Sequence, residues 1–139
     1  MNVSFVPDAS TAIAWVHPAQ ATPGTDALLT QVEQGAEVVV PGLWFAEVAN
    51  ALLVLERRKR LTARERREAL ERLAQLQPIL DVEGPPLAFS KTSELAARHG
   101  LSVYDATYLE VALRRRLTLA SRDEQLCAAS RKCGVKIVL

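Results

Sequence analysis

Glu37-Val38-Val39-Val40-Pro41-Gly42-Leu43-Trp44-Phe45-Ala46-Glu47-Val48-Ala49-Asn50-Ala51-Leu52-Leu53-Val54-Leu55 is the stretch that decides the fold. Its first four residues are a β-branched run stopped by Pro41-Gly42, the pattern of a buried strand meeting a turn. The 13 residues from Leu43 to Leu55 then read as a helix, and 11 of them are apolar and spread around its circumference. Such a helix is expected to be buried on most sides. Only Glu47 and Asn50 are polar, and three-residue spacing puts both on one face. A carboxylate there needs a partner, either an arginine in a core ion pair or a polar site that the face lines.

Working outward, the same alternation of strand and helix recurs. Val3 to Val6 reads as a strand ending at Pro7-Asp8, with Ser10 or Thr11 capping a short helix that the His17-Pro18 step ends. A helix over Thr25 to Gln34 precedes the quoted stretch and closes at Gly35. Beyond it, Glu56 to Gln77 is a charge-rich helix or helix pair, with Thr62-x-x-Glu65 as a capping box. Ile79 to Val82 reads as a strand, Leu87 to His99 as a helix, Leu117 to Ala120 as a strand, Glu124 to about Arg131 as a helix, and Val135 to Leu139 as a last strand. Between them, Gly100 ends one helix and Ser102 caps the next, placing Asp105 in its first turn as the partner in a Ser-x-x-Asp box. Strands alternating with helices and no repeats or linkers predict one α/β domain over residues 1–139, with a mainly parallel sheet flanked by helices.

Composition narrows the class. The chain has 139 residues, 49% hydrophobic and 24% charged, with net charge +1, so no global field announces a nucleic-acid or membrane partner. Cys127 and Cys133 are six apart, with neither a CxxC pattern nor a nearby histidine in sequence, which argues against a disulfide scaffold or zinc site. No apolar run approaches the roughly 20 residues that span a bilayer, and no basic and apolar leader is present, so a cytoplasmic protein is expected.

In open parallel sheets, ligands bind beyond the carboxyl ends of the strands. Asp8 and Asp123 follow strands directly, Asp105 opens a helix, and Glu47 lies one turn into the helix after a strand. All four are expected at one crevice. Four clustered carboxylates repel one another unless a cation holds them, and an all-oxygen donor set selects Mg²⁺ or Mn²⁺ over zinc. No Gly-rich phosphate loop is present, and His17 and His99 lack any nearby nucleophile elbow. Phosphodiester hydrolysis by a metal-activated water fits these residues best.

Four segments also carry a resemblance: Val6-Pro7-Asp8-Ala9-Ser10, Trp44 to Leu52, Ser102-Val103-Tyr104-Asp105-Ala106, and Leu119-Ala120-Ser121-Arg122-Asp123. In order and spacing they resemble the motifs of PIN-domain ribonucleases, and most of all the VapC-type toxins of toxin–antitoxin pairs. By residue match the family's acidic cluster falls on Asp8, Glu47, Asp105 and Asp123, with Ser10, Asn50, Ser102 and Ser121 in support. Ser121 stands where many relatives have threonine, one hydroxyl for another. The resemblance implies an Mg²⁺-dependent endoribonuclease, with Mn²⁺ as substitute, that acts on structured RNA. It further implies a homodimer and a cognate antitoxin protein that occludes the crevice.

Arg57, Arg58, Lys59 and Arg60 form the chain's one run of four basic residues. At 1.5 Å per helical residue they lie roughly 15–20 Å from Glu47, suited to RNA flanking a scissile bond. Their alternative role is to solvate a helix end and favour its dipole. Two other classes compete with a nuclease. A catalytically idle PIN-like module would bind RNA or a partner without cleaving. A phosphoacceptor or phosphatase would use Asp8 as nucleophile, but Ser10 stands where a second aspartate is wanted and Lys136 falls inside a strand.

Overall fold

The computed structural model describes residues 3–139. Four strands, β1 (Ser4–Pro7), β2 (Glu37–Pro41), β3 (Ile79–Asp81) and β4 (Thr118–Ala120), form one sheet in the order β3-β2-β1-β4, every pair parallel. Seven helices accompany them: α1 (Ala9–Val16), α2 (Pro23–Glu33), α3 (Leu43–Arg57), α4 (Ala63–Gln75), α5 (Lys91–His99), α6 (Val103–Arg115) and α7 (Glu124–Lys132). The expected parallel α/β architecture is therefore what the chain adopts.

The core forms around the two central strands. Phe5 and Val6 of β1 and Val38, Val39 and Val40 of β2 are all buried, as continuous apolar runs must be when helices cover both sheet faces. Phe5 meets Trp15 of α1 edge-on, with ring centroids 6.2 Å apart, and the Trp15 indole donates to the Thr25 carbonyl oxygen at 2.9 Å. These contacts seat α1 and α2 against the sheet. Capping defines the helix starts: Thr22 and Thr25 form a reciprocal box before α2, and Thr62 and Glu65 do the same before α4, as expected. Each such cap contributes about 1 kcal/mol.

Several local expectations are corrected. The cap of α1 is Asp8, whose Oδ1 accepts from the Thr11 backbone N–H at 3.0 Å, and neither Ser10 nor Thr11 takes that place. The α3 helix buries one stripe, Trp44, Val48 and Leu52, and leaves Phe45 45% exposed. Apolar content alone overstated its burial, because the elements packed on it, chiefly α1 and α4, cover one side. The charge-rich segment is not among these: it forms the helix pair that its pattern allowed, broken between α3 and α4, where Lys59 takes a left-handed conformation at φ 60°. The segment from Leu87 splits into a 3₁₀ turn over Pro85–Phe89 and then α5, the break falling at Ser90, whose backbone is not helical (φ −130°, ψ −97°). The last expected strand reduces to a single parallel bridge between Leu119 and Ile137.

Sheet order sets the site. Connections leave β1 toward β2 and β3 on one side, while β4 pairs on the other, so strand order reverses between β1 and β4. The crevice at that switch point, beyond the carboxyl ends, is where open parallel sheets take ligands. The α1, α3 and α7 helices start from that edge because each follows a strand, and α6 starts there because it returns the chain to β4.

Candidate functional site

At the switch point the backbone closes first. The Asp8 N–H donates to the Ala120 carbonyl oxygen at 3.0 Å, and the Thr11 hydroxyl donates to the same oxygen at 2.8 Å. Asp8 is buried and both its oxygens are engaged. Oδ1 accepts from the Ser10 hydroxyl at 2.7 Å, the Thr11 N–H at 3.0 Å and the Thr11 hydroxyl at 3.2 Å, while Oδ2 accepts from Ser121 Oγ at 2.5 Å. Ser121 Oγ in turn accepts from the Asp123 N–H at 3.0 Å, which links Asp123 to Asp8 through one hydroxyl. Asp123 is exposed and caps α7 through Oδ1 to the Leu126 N–H at 2.8 Å.

Asp105 sits half-buried in the first turn of α6, its N–H donating to Ser102 Oγ at 3.0 Å. The return bond that would complete a Ser-x-x-Asp capping box is absent, so the carboxylate is not consumed by the cap. Burial raises the Asp105 pKa most, the Asp123 charge raises it further, the Ser102 hydroxyl opposes this, and the Asp8 charge adds to it. Glu47 behaves alike. Burial raises its pKa first, a hydrogen bond from Tyr108 opposes that, and the charges of Asp105 and Asp8 push it up again. Asp105 thus feels the charges of Asp123 and Asp8, and Glu47 those of Asp105 and Asp8. None of them takes part in a salt bridge among the described residues. The arginine partner considered for Glu47 is replaced by a neutral hydroxyl, Tyr108 Oη, at 2.8 Å. Asn50, one turn beyond Glu47, is exposed and makes no side-chain hydrogen bond among the described residues.

Asp81 provides the contrast. It is the last residue of a strand, but its fully buried carboxylate binds Arg114 Nη2 at 2.6 Å, Arg114 Nη1 at 3.0 Å and Arg115 Nε at 2.8 Å. Glu110 and Glu83 complete the network around Arg114. Acids meant to hold structure carry their cations with them here; the four crevice acids do not.

The donor set is all oxygen and uncompensated, which fits a hard divalent cation. The fit is one of chemistry rather than ready geometry: among the described residues no three His, Cys, Asp or Glu side chains converge as ligands. Asp8, Glu47 and Asp123 each commit at least one oxygen to a protein donor.

Sequence reasoning missed two residues here. Tyr108 stands three positions after Asp105, on the same helical face, and that spacing was the available signal. Arg122, between Ser121 and Asp123, reaches the Gln20 carbonyl oxygen at 3.0 Å and the Ser10 carbonyl oxygen at 3.1 Å, tying the β4–α7 turn to the start of α1. A correction concerns sulfur: Cys133 Sγ lies 3.3 Å from His99 Nε2, a pair 34 residues apart that local spacing does not reveal, while both cysteines are free thiols.

The raised pKa values make a stability prediction. A folded-state value above the unfolded one means that Asp105 favours folding below its unfolded pKa, near 3.8, and loses that contribution as pH rises through the folded value. In metal-free buffer at neutral pH, Asp105→Asn is therefore expected to melt above wild type, and the difference should vanish in acid. Asp8→Asn should melt below wild type, because an amide replaces a carboxylate that accepts four hydrogen bonds. Thermal melts in EDTA from pH 3 to 8 check both; an Asp105→Asn variant that melts lower at neutral pH would contradict the repulsion.

The fold defines a class: an α/β domain with a parallel four-stranded sheet whose strand order reverses between β1 and β4. The chain belongs to the PIN domain family, whose pattern it matches over residues 5–132. PIN domains are generally nucleases, and they typically use divalent metal ions. Solved structures share the fold. PAE2754 from Pyrobaculum aerophilum superposes with a TM-score of 0.75 at 24% identity, over 98% of this chain and 84% of that one. FitAcB from Neisseria gonorrhoeae gives 0.66 at 20% identity, over 97% and 96%. VapBC2 from Rickettsia felis, solved bound to a DNA fragment from its promoter, gives 0.68 at 10% identity, over 97% of each chain. Comparison with curated proteins returns no significant match. No helix among the described residues is long and apolar enough to cross a membrane.

Proposed function

We propose that this protein is a metal-dependent endoribonuclease, the VapC-like toxin of a toxin–antitoxin pair. The observation that carries the reading is the set of four acids at the switch point without a single basic partner among the described residues. Asp8, Glu47, Asp105 and Asp123 would hold Mg²⁺, or Mn²⁺ in its place. When bound, such an ion supplies charge for the phosphate and acidifies a water. The chain's own residues do the rest. Asp8 is locked by Ser10, Thr11 and Ser121, so its carboxylate stays in place as the ligands change. Asp105 and Glu47, whose burial raises their proton affinity, are suited to take the proton from the attacking water.

The substrate in this reading is structured RNA in the cytoplasm. Incubating the purified protein with end-labelled structured RNA and Mg²⁺ should yield discrete internal fragments. Stepwise loss of terminal nucleotides, or no product with any divalent ion, would overturn it. The partners are a cognate antitoxin and a second copy of this chain. They would cover apolar side chains left exposed, Phe45 of α3 and Ile79 and Leu80 of β3.

An acidic crevice repels RNA, so basic residues must hold the phosphates. Arg57, Arg58, Lys59 and Arg60 are all exposed and outside every salt bridge among the described residues. Replacing Arg57, Arg58 and Arg60 with Gln in an Asp105→Asn background isolates binding from cleavage. RNA affinity is expected to fall, and the salt dependence to flatten by roughly 0.7 log units per log salt for each phosphate interaction removed. Unchanged affinity and slope would leave these residues as a solvated helix end.

A further inference from the structure

Tyr108 is 1% exposed, yet its hydroxyl has a partner, Glu47 Oε1 at 2.8 Å. That bond spans 61 positions and joins α3 to α6. Among the described residues no other side-chain hydrogen bond links these two helices, and α3 packs mainly on α1 and α4. Glu47 thus owes its orientation relative to Asp105 to one phenol. A free glutamate has three side-chain torsions, and ordering them costs conformational entropy. A ring packed in the core imposes that order during folding, so it need not be imposed when a ligand arrives.

We propose that Tyr108 is a positioning residue for divalent-cation binding: it anchors Oε1 of Glu47 and leaves Oε2 unengaged and pre-ordered at the crevice. This rests on the reading of Glu47 as a metal ligand. A tyrosine that merely satisfies its own buried hydroxyl would stabilise the fold without touching metal affinity, and the two roles separate by experiment.

Tyr108→Phe keeps the ring and removes the donor. Titration calorimetry with Mn²⁺ should show binding about 10-fold weaker than in wild type, the scale on which residues behind a metal ligand act. In a Glu47→Gln background the same substitution should change Mn²⁺ affinity less than about twofold. A readout independent of folding losses uses the chain's two tyrosines. With Tyr104→Phe, 3-fluorotyrosine labels position 108 alone, and its ¹⁹F resonance should move on adding Mg²⁺ but not when Glu47 is also replaced by Gln. If wild type and Tyr108→Phe bind Mn²⁺ equally, or the penalty persists undiminished beside Glu47→Gln, the positioning role is overturned while the metal site stands. If wild type binds no Mn²⁺, both fall.

Discussion

Asp105→Asn is expected to cut RNA cleavage by on the order of 10²–10⁴-fold, the range over which a group that handles a proton at the reacting centre contributes. Growth arrest on expression should disappear with it. The substitution keeps the backbone N–H that donates to Ser102 Oγ, so the start of α6 survives. What it removes is a carboxylate that no cap bond consumes and whose pKa burial and the Asp123 charge have raised. Asp8→Asn should abolish cleavage comparably, though through a residue that also caps α1, which makes Asp105 the cleaner probe. Glu65→Gln is the control, since its carboxylate closes the Thr62 capping box and nothing more. Gel-based cleavage with each variant, folding checked by circular dichroism, decides it. Wild-type rates in both Asn variants would remove these acids from the chemistry.

Asp81→Asn is expected to lower stability by about 3 kcal/mol, because removing one partner of a buried ion pair leaves the other charge uncompensated. Arg115 has no other ion-pair partner among the described residues, while Arg114 retains Glu110 and Glu83, which keeps the loss toward the lower end of that range. For a domain of this size the melting temperature should fall by roughly 10 °C. Burial alone would raise the Asp81 pKa, but the hydrogen bonds and charges of Arg114 and Arg115 outweigh it and hold the carboxyl below its ordinary value. A lowered folded-state pKa means stability that is present above the unfolded value and lost as pH falls through the folded one. The gap between wild type and Asp81→Asn should accordingly close in acid. Arg64→Ala, which breaks an exposed pair with Glu68, should cost less than about 1 kcal/mol. Urea unfolding measures both, and equal costs for the two would contradict the contrast between buried and exposed pairs.

What was legible in the sequence was what local pattern dictates. The β-branched run Glu37–Val40, the Thr62-x-x-Glu65 box and the Gly100-Leu101-Ser102 break each specify their element without reference to distant residues. The placement of Asp8 and Asp123 just after β1 and β4 was legible too, because each aspartate closely follows an apolar strand run. What stayed hidden depends on partners far along the chain. Nothing near Leu43–Leu55 says that its apolar residues will find neighbours on one side only. Asp81 meets Arg114 33 positions away, and Cys133 meets His99 34 away. Val135 to Leu139 has strand-like composition, but only Ile137 completes a bridge, and propensity does not report that shortfall. Asp8 shows a subtler limit: the sequence offered Ser10 or Thr11 as the cap of α1, but the strand-end aspartate itself takes that place while its other oxygen accepts from Ser121.

In the proposed function, the uncompensated acids hold a divalent cation for RNA cleavage. The most direct measurement follows Mn²⁺ binding by calorimetry and RNA cleavage in one preparation of wild-type protein, with and without EDTA, beside Asp105→Asn. Cleavage is expected to rise in step with Mn²⁺ saturation, stop in EDTA, return on adding excess Mg²⁺, and be lost together with tight Mn²⁺ binding in Asp105→Asn. Cleavage that persists in EDTA, or tight Mn²⁺ binding and full activity in the variant, would contradict it.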